Sequence, residues 1–261
     1  MRLSLERIKE YLTALGKEDT DIRFYDSTDS TNTRARECGD HPTPGSAVVF
    51  LAREQSGGRG RRGRSFSSPE GGIYISFLIT PRAGENPDPG RLTPAAAVSL
   101  LSPIERECGI APMLKWVNDL YVGDKKIAGI LTEGVFDSEG RICSYVIGMG
   151  INVYKNVELC ESVPVAATLE DVSDREIDIN RLTASVIQSV LSYRDPEKTL
   201  RIYRERSMII GKCVEVLDPS GSYLATAISV GEDYSLTVKR ADNGEEKRLF
   251  TGDVSIRWQS T

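Results

Sequence analysis

One histidine, His41, stands among 261 residues, in the turn-like run His41-Pro42-Thr43-Pro44-Gly45. A Ser-His-Asp triad or a histidine-rich zinc site would have to use it, and its loop setting argues against both. Cysteine offers no alternative: Cys38, Cys108, Cys143, Cys160 and Cys213 are scattered, odd in number and never spaced as CxxC. That pattern reads as reduced, structural thiols rather than a disulfide framework. No apolar run approaches the ~20 residues needed to span a bilayer. The opening MRLSLERIKEY interrupts its apolar positions with charges, unlike a secretory leader, so a cytoplasmic location is expected. Positive charge is also short: 33 Lys and Arg face 38 Asp and Glu, a net charge of -5. A broad basic face for duplex DNA is therefore not expected, only a local basic patch.

What is present is an ordinary globular composition, 39% hydrophobic and 27% charged. The length suits one and a half to two domains at about 150 residues each. Leu5, Ile8, Leu12 and Leu15 recur at helical spacing before Gly16, predicting a helix over 4–15. A strand is expected at 22–25, followed by DSTDSTNTRARE turning into a second helix. Further strands are expected at 47–52, 73–79, 113–117, 120–122, 126–132 and 143–148. Thr93-Pro94 reads as the cap and first position of another helix, which Pro103 should kink or break. A helical region at 179–205 is interrupted near Asp195-Pro196. From Met208 onward, four or five short alternating strands are separated by DPSG, GED and DNGE turns. The expected architecture is α+β: a mixed sheet with flanking helices over 1–207, then a small β-barrel over 208–261.

Three stretches have the composition of binding sites. Gly57-Gly58-Arg59-Gly60-Arg61-Arg62-Gly63-Arg64 joins close-approach backbone to fixed positive charge, a combination suited to anions. Four mutually repelling arginines predict a loop that is mobile when empty and ordered by an anion. Gly58-x-Gly60-x-x-Gly63 matches the dinucleotide fingerprint formally, but no helix opens within it, so a Rossmann site is rejected. Lys115-Trp116-Val117-Asn118-Asp119-Leu120-Tyr121-Val122 and Lys125-Lys126-Ile127-Ala128-Gly129-Ile130-Leu131 form a hairpin with polar residues at its turn. It reads either as a plain turn or as a lysine and carboxylate facing a cleft for phosphate and Mg²⁺. Ser30-Thr31-Asn32 at the second helix reads either as an N-cap or as a small polar ligand site. Gly129, Gly148 and Gly150, inside strand-like runs, suggest bulges or close approach of a ligand.

In chain order, DSTN (29–32), QSGGRGRRGR (55–64), KWVNDLYV (115–122), KKIAGIL (125–131) and GMGINV (148–153) together resemble biotin protein ligase, over about residues 20–255. The resemblance implies a biotinyl/lipoyl ligase-like catalytic domain with an SH3-like barrel after it. It implies activation of biotin by ATP to biotinyl-5′-AMP, with Mg²⁺, and transfer to one lysine of a biotin carboxyl-carrier domain of acetyl-CoA carboxylase or a related carboxylase. Ser30, Thr31, Asn32 and Gln55 would then contact biotin, and Gly129 and Ile130 would line its ring. Arg59, Gly60 and Arg61 would bind the biotin carboxylate and the phosphates, with Arg64 closing the loop. Lys126 matches the family's essential lysine, and Lys126 with Arg61 would be the catalytic pair. Lys115, Asn118 and Asp119 would serve ATP, with Mg²⁺ near Asp119, while Asn152 and Phe66 would lie by the adenine.

Two features depart from the family pattern. Val117 stands where the family has proline, and DSTDSTN leaves a choice between Ser27-Thr28 and Ser30-Thr31, of which only the second pair precedes Asn. The first strand at 22–25 leaves no room before it for a winged helix-turn-helix, so the monofunctional type is expected, with no DNA partner. Dimerisation, common in the family, is open. The rivals are a lipoate ligase or octanoyl transferase of the same fold, marked by an extra His or a nucleophilic Cys, and a single-strand nucleic-acid module. The latter usually needs aromatics interleaved with its basic groove, and only Phe66 is present here.

Overall fold

The computed structural model describes residues 2–39, 42–82, 88–156, 166–192, 195–218, 221–250 and 253–256. His41 and Cys160 lie outside them. Helix α1 (Leu5–Ala14) starts where Ser4 Oγ accepts from Arg7 N–H, and it buries Ile8 and Leu12 from its apolar stripe. After β1 (Asp21–Thr28) comes the short α2 (Thr31–Arg36), then β2 (Ala47–Gln55), β3 (Gly72–Ile79) and α3 (Pro89–Cys108). The hairpins β4 (Met113–Lys115), β5 (Asp119–Val122), β6 (Lys125–Phe136) and β7 (Ile142–Asn152) follow. Helices α4 (Leu169–Val172), α5 (Ile179–Ser192) and α6 (Pro196–Glu205) lead to β8 (Cys213–Asp218), β9 (Gly221–Val230), β10 (Leu236–Arg240), β11 (Glu246–Leu249) and β12 (Asp253–Ile256).

The first seven strands form one sheet in the order β1-β2-β3-β7-β6-β5-β4, mixed because β1 and β2 are parallel and the remaining pairs antiparallel. Its central strands are covered on both faces, which is why they read as continuous apolar runs. Val49 and Leu51 of β2 join the large core built with α1, α3 and α5. Val48 and Phe50 point the other way, to Ala35 of α2. This period-2 division lets α2 sit on the opposite face, at the edge of the cleft described below.

The last five strands form a second, antiparallel sheet in the order β11-β10-β9-β8-β12, the small C-terminal sheet of an SH3-like unit. Its apolar residues continue the same core. Trp116 Nε1 donates to the Tyr234 carbonyl at 2.7 Å, and the rings of Tyr203 and Tyr234 meet edge to face at 5.3 Å.

Several expected boundaries move. Helix α3 begins five residues before Pro94, at Pro89 with Asp88 as its cap, and it runs through Pro103 unbroken. The carbonyl that Pro103 leaves without an amide, that of Ser99, accepts instead from Ser189 Oγ of α5 at 2.7 Å. A tertiary partner thus removes the penalty that would have ended the helix. Asp119 belongs to β5 rather than to the hairpin turn, which is Trp116–Asn118, and the Trp116–Val117 peptide is cis. Strands β1, β6 and β7 extend beyond their expected ends because each pairs along its full length with a neighbour.

Candidate active site

Four elements converge on one cleft: the start of α2, the loop after β2, the β5–β6 hairpin and the middle of β7. At its floor Ser30 is the N-cap of α2, yet its side chain makes no capping bond. Asp29 does the local work instead, accepting from the Ser30 N–H (2.6 Å), Thr28 Oγ1 (3.0 Å) and Arg34 Nε (3.1 Å). Burial pushes the Asp29 carboxyl up, but these bonds outweigh it and hold the group below its usual value. The Ser30 hydroxyl is thereby left to the cleft.

Beside it runs a chain of polar groups. Gln55 Oε1 accepts from Thr31 N–H (2.8 Å) and Thr31 Oγ1 (3.1 Å), while Gln55 Nε2 donates to Ser68 Oγ (2.9 Å). Ser76 Oγ donates to Asn32 Oδ1 (2.6 Å) and lies 2.7 Å from Thr31 Oγ1. Asn32 Nδ2 donates to Glu133 Oε2 at 2.7 Å. Thr31, Asn32 and Ser76 are all buried, so these partners offset desolvation that would otherwise cost about 1–3 kcal/mol per unpaired group.

The glycines of the strands admit protein side chains. A Cβ on Gly148 would sit 1.9 Å from Asn32 Oδ1, and one on Gly150 2.4 Å from Phe66 Cε1. Neither position is a bulge: both lie in regular register with β3 and β6. The close approach expected of a ligand is made by Asn32 and Phe66. Gly129 differs, since a Cβ there would meet Lys126 Nζ at 3.1 Å.

At the other end the cleft is cationic. Lys126 Nζ lies 2.8 Å from Asp119 Oδ1, which is itself buried, and 6.0 Å from the centre of the Phe66 ring. Arg61 Nη1 donates to Asn118 Oδ1 (3.3 Å), and Arg59 Nη2 reaches Glu133 Oε2 (3.3 Å). The glycine–arginine loop closes on itself through Gly60 N–H to Arg64 carbonyl (2.7 Å) and Phe66 N–H to Gly58 carbonyl (2.9 Å). Arg62 takes a left-handed conformation (φ 56°) inside a single 3₁₀ turn, Arg61–Gly63. The expectation of four arginines held only in mutual repulsion is corrected here: Arg59 and Arg61 each hold a separate partner on β6 or the hairpin turn, which keeps the charges apart. Gly58 is packed tightly, with a Cβ there only 2.3 Å from the Phe66 carbonyl.

The cleft thus gathers Ser30, Thr31, Asn32, Gln55, Arg59, Gly60, Arg61 and Arg64 with Phe66, Asn118, Asp119, Lys126, Gly129 and Ile130. Two expected residues do not line it. Lys115 points its ammonium over the Tyr121 ring at 5.2 Å. Asn152 is buried at the end of β7, where its Nδ2 donates to the Ala167 carbonyl (3.2 Å) and its Oδ1 has no partner among the described residues. Burial beside Asp119 pushes the Tyr121 phenol up to about 12, so that ring stays neutral. Ser76 and Glu133 had not been singled out. Ser76 carried a signal, as the polar residue in the apolar run Ile73–Ile79; Glu133 carried a weaker one, at period two from Gly129 and Leu131.

A family profile described as the biotin/lipoate A/B protein ligase family matches residues 24–152. The bifunctional ligase/repressor BirA of Bacillus subtilis is 30% identical, covering 89% of this chain and 73% of its own length. This chain belongs to the biotin/lipoate A/B protein ligase family. Among other members, the biotin–[acetyl-CoA-carboxylase] ligase of Paracoccus denitrificans is 29% identical over 86% of this chain and 87% of its own. The structure of the Aquifex aeolicus biotin protein ligase in complex with biotin and ATP superposes with a TM-score of 0.74, at 26% identity, over 91% of this chain and 98% of that one. Its relatives and fold make this family member an enzyme of the biotin protein ligase branch.

Proposed function

We propose that the chain activates biotin with ATP and transfers it to a lysine of a biotin carboxyl-carrier domain, as in acetyl-CoA carboxylase. The observation that carries this reading is one cleft joining a buried hydrogen-bonding floor to a lysine and arginines, with neither cysteine nor histidine in its lining. A carboxylate can be activated there by a nucleotide, whereas a thioester route would need a thiol. That distinction favours the ligase over an octanoyl transferase.

In this reading Ser30, Thr31, Asn32 and Gln55 hold the ureido head of biotin, and Gly129 and Ile130 flank its ring. A carboxylate oxygen attacks the α-phosphorus of ATP, the bond to pyrophosphate breaks, and biotinyl-5′-AMP forms. Charge accumulates on the phosphoryl oxygens during that step, so fixed cations lower its barrier more than a protein nucleophile would. Lys126 leaves Asp119 to meet the carboxylate and α-phosphate, and Arg59, Arg61 and Arg64 close over the phosphates. Phe66 serves the adenine and Asn118 the nucleotide, while Lys115 and Asn152, which lie outside the cleft lining, take no part in this reading. The carrier's lysine amine then attacks the acyl carbon, AMP leaves, and the amine's proton passes to solvent.

No group of three or more metal-ligating side chains occurs among the described residues. Mg²⁺ arriving with ATP needs only one or two carboxylates besides phosphate and water. Asp119 fits that role once Lys126 moves to substrate, and the ion would neutralise phosphate charge. No helix of the described residues is long and apolar enough to cross a membrane. Cys38, Cys108, Cys143 and Cys213 are in the reduced, thiol form, which suits a reducing cytoplasm.

Isothermal titration with biotin, with and without Mg-ATP and beside lipoate, tests the reading. Biotin binding that tightens with ATP, followed by label appearing on a purified carrier domain, is the expected result. Response to lipoate alone would overturn it.

A further inference from the structure

Behind the cleft lining stands an acidic side chain that the reaction does not call for. Glu133, on β6, is one-fifth exposed, and its two oxygens meet three side chains from two separate segments. Oε2 accepts from Asn32 Nδ2 at 2.7 Å and from Arg59 Nη2 at 3.3 Å, while Oε1 faces Arg36 Nη1 at 3.4 Å. A negative charge beside a site for two anionic substrates opposes their binding unless it does something else.

The hydrogen-bond bookkeeping shows what that is. An ionised carboxylate only accepts, so the Asn32 amide must turn Nδ2 toward Glu133 and Oδ1 toward Ser76. The single Ser76 proton is then committed to Asn32 Oδ1. The Ser76 oxygen is then left as an acceptor toward Thr31 Oγ1, 2.7 Å away, within the buried floor. Glu133 therefore fixes the orientation of the Asn32 amide and, through it, of the Ser76 hydroxyl. The same oxygen also ties Arg59, and through it the glycine–arginine loop, to the sheet, which reduces the ordering cost when a ligand binds.

Building on the biotin reading above, we infer that Glu133 is a positioning residue that couples the biotin floor to the arginine loop through one shared carboxylate oxygen. Two substitutions separate its two tasks. Glu133→Gln keeps an oxygen for Asn32 but removes the charge holding Arg59. Glu133→Ala removes both.

The test is biotin affinity by titration in five variants, Arg59→Ala alone and E133Q and E133A each alone and each combined with Arg59→Ala, with thermal unfolding as the folding control. E133A is expected to weaken biotin binding by about 30-fold, within the range for hydrogen bonds to charged groups, and E133Q by about 5-fold, the scale of an ordinary hydrogen bond. The E133Q loss should vanish when Arg59 is already alanine, while most of the E133A loss persists because Asn32 is still unanchored. Equal losses with and without Arg59, or parental affinity in both single variants, would overturn the coupling. If E133A does not fold, the E133Q pair alone decides it. A parent protein that fails to bind biotin would instead refute the reading beneath this inference.

Discussion

The two ends of the cleft hold their polar groups in opposite ways. At the floor, Thr31, Asn32 and Ser76 are buried and, with the half-buried Gln55, bonded to one another, and nothing has to be displaced for them to keep their orientation. At the cationic end, Lys126, Arg61 and Arg59 are paired with Asp119, Asn118 and Glu133, partly open to solvent. In the proposed reading, the first arrangement recognises a neutral head group by preset geometry. The second keeps cations in place and separated until an anion arrives, so recognition of charge proceeds by partner exchange. A binding energy released at that exchange is available to the developing charge of the transition state.

Four changes test whether that contrast holds. The largest effect belongs to Lys126→Ala, expected to slow adenylate formation by about 10²–10³-fold, the usual scale for losing one preorganised electrostatic group. Biotin affinity should change far less and the circular dichroism spectrum should be retained. Near-normal pyrophosphate release would remove Lys126 from the chemistry.

Gly148→Ala strikes the other end. Its Cβ would fall 1.9 Å from Asn32 Oδ1, and the floor has no slack to absorb it. Biotin binding should weaken by about 100-fold, as expected when a buried hydrogen-bond network loses its geometry, with ATP affinity in the absence of biotin little altered. A titration showing parental affinity would mean that Asn32 does not face the ligand.

Arg61→Gly should release biotinyl-AMP about 10-fold faster, the loss of one charge-assisted contact, and unfold at a temperature close to the parent's. Retention of the adenylate at the parental rate would move the phosphate contact elsewhere in the loop.

The smallest effect is remote from both ends. Ser235 and Arg248 hold the Asp233 carboxyl at about 2 in the folded chain, below the ordinary 3.8. The depressed value stabilises the fold above pH ~4, and that contribution disappears as pH falls toward 2. Asp233→Asn should therefore lower the melting temperature slightly at pH 6 and not at pH 2, while biotin binding at pH 7 stays at the parental level. An equal shift at both pH values would contradict the ion pair.

Much of the site was legible because its chemistry is written in contiguous runs. Gly58–Arg64 and Lys115–Ile130 bring their charges with them, and backbone pairing alone puts Asp119 opposite Gly129. What was not legible depended on groups far apart in the chain. The hydroxyl of Ser189 that lets α3 run past Pro103 comes from another helix. Glu133 meets Asn32 across 101 residues. Lys115, one residue before Trp116, looks equivalent to its neighbours in sequence, yet strand alternation turns it onto Tyr121.

Sequence alone determined the order of elements, the apolar strands, the position of the glycine–arginine loop and the hairpin lysine, because each follows from local periodicity, turn chemistry or charge. Tertiary structure decided which cations were paired and with what, that Asn32 and Phe66 fill the space left by Gly148 and Gly150, and that one carboxylate serves both ends of the cleft. Those outcomes depend on packing and on hydrogen-bond partners supplied by distant segments, and neither is encoded at the positions that use them.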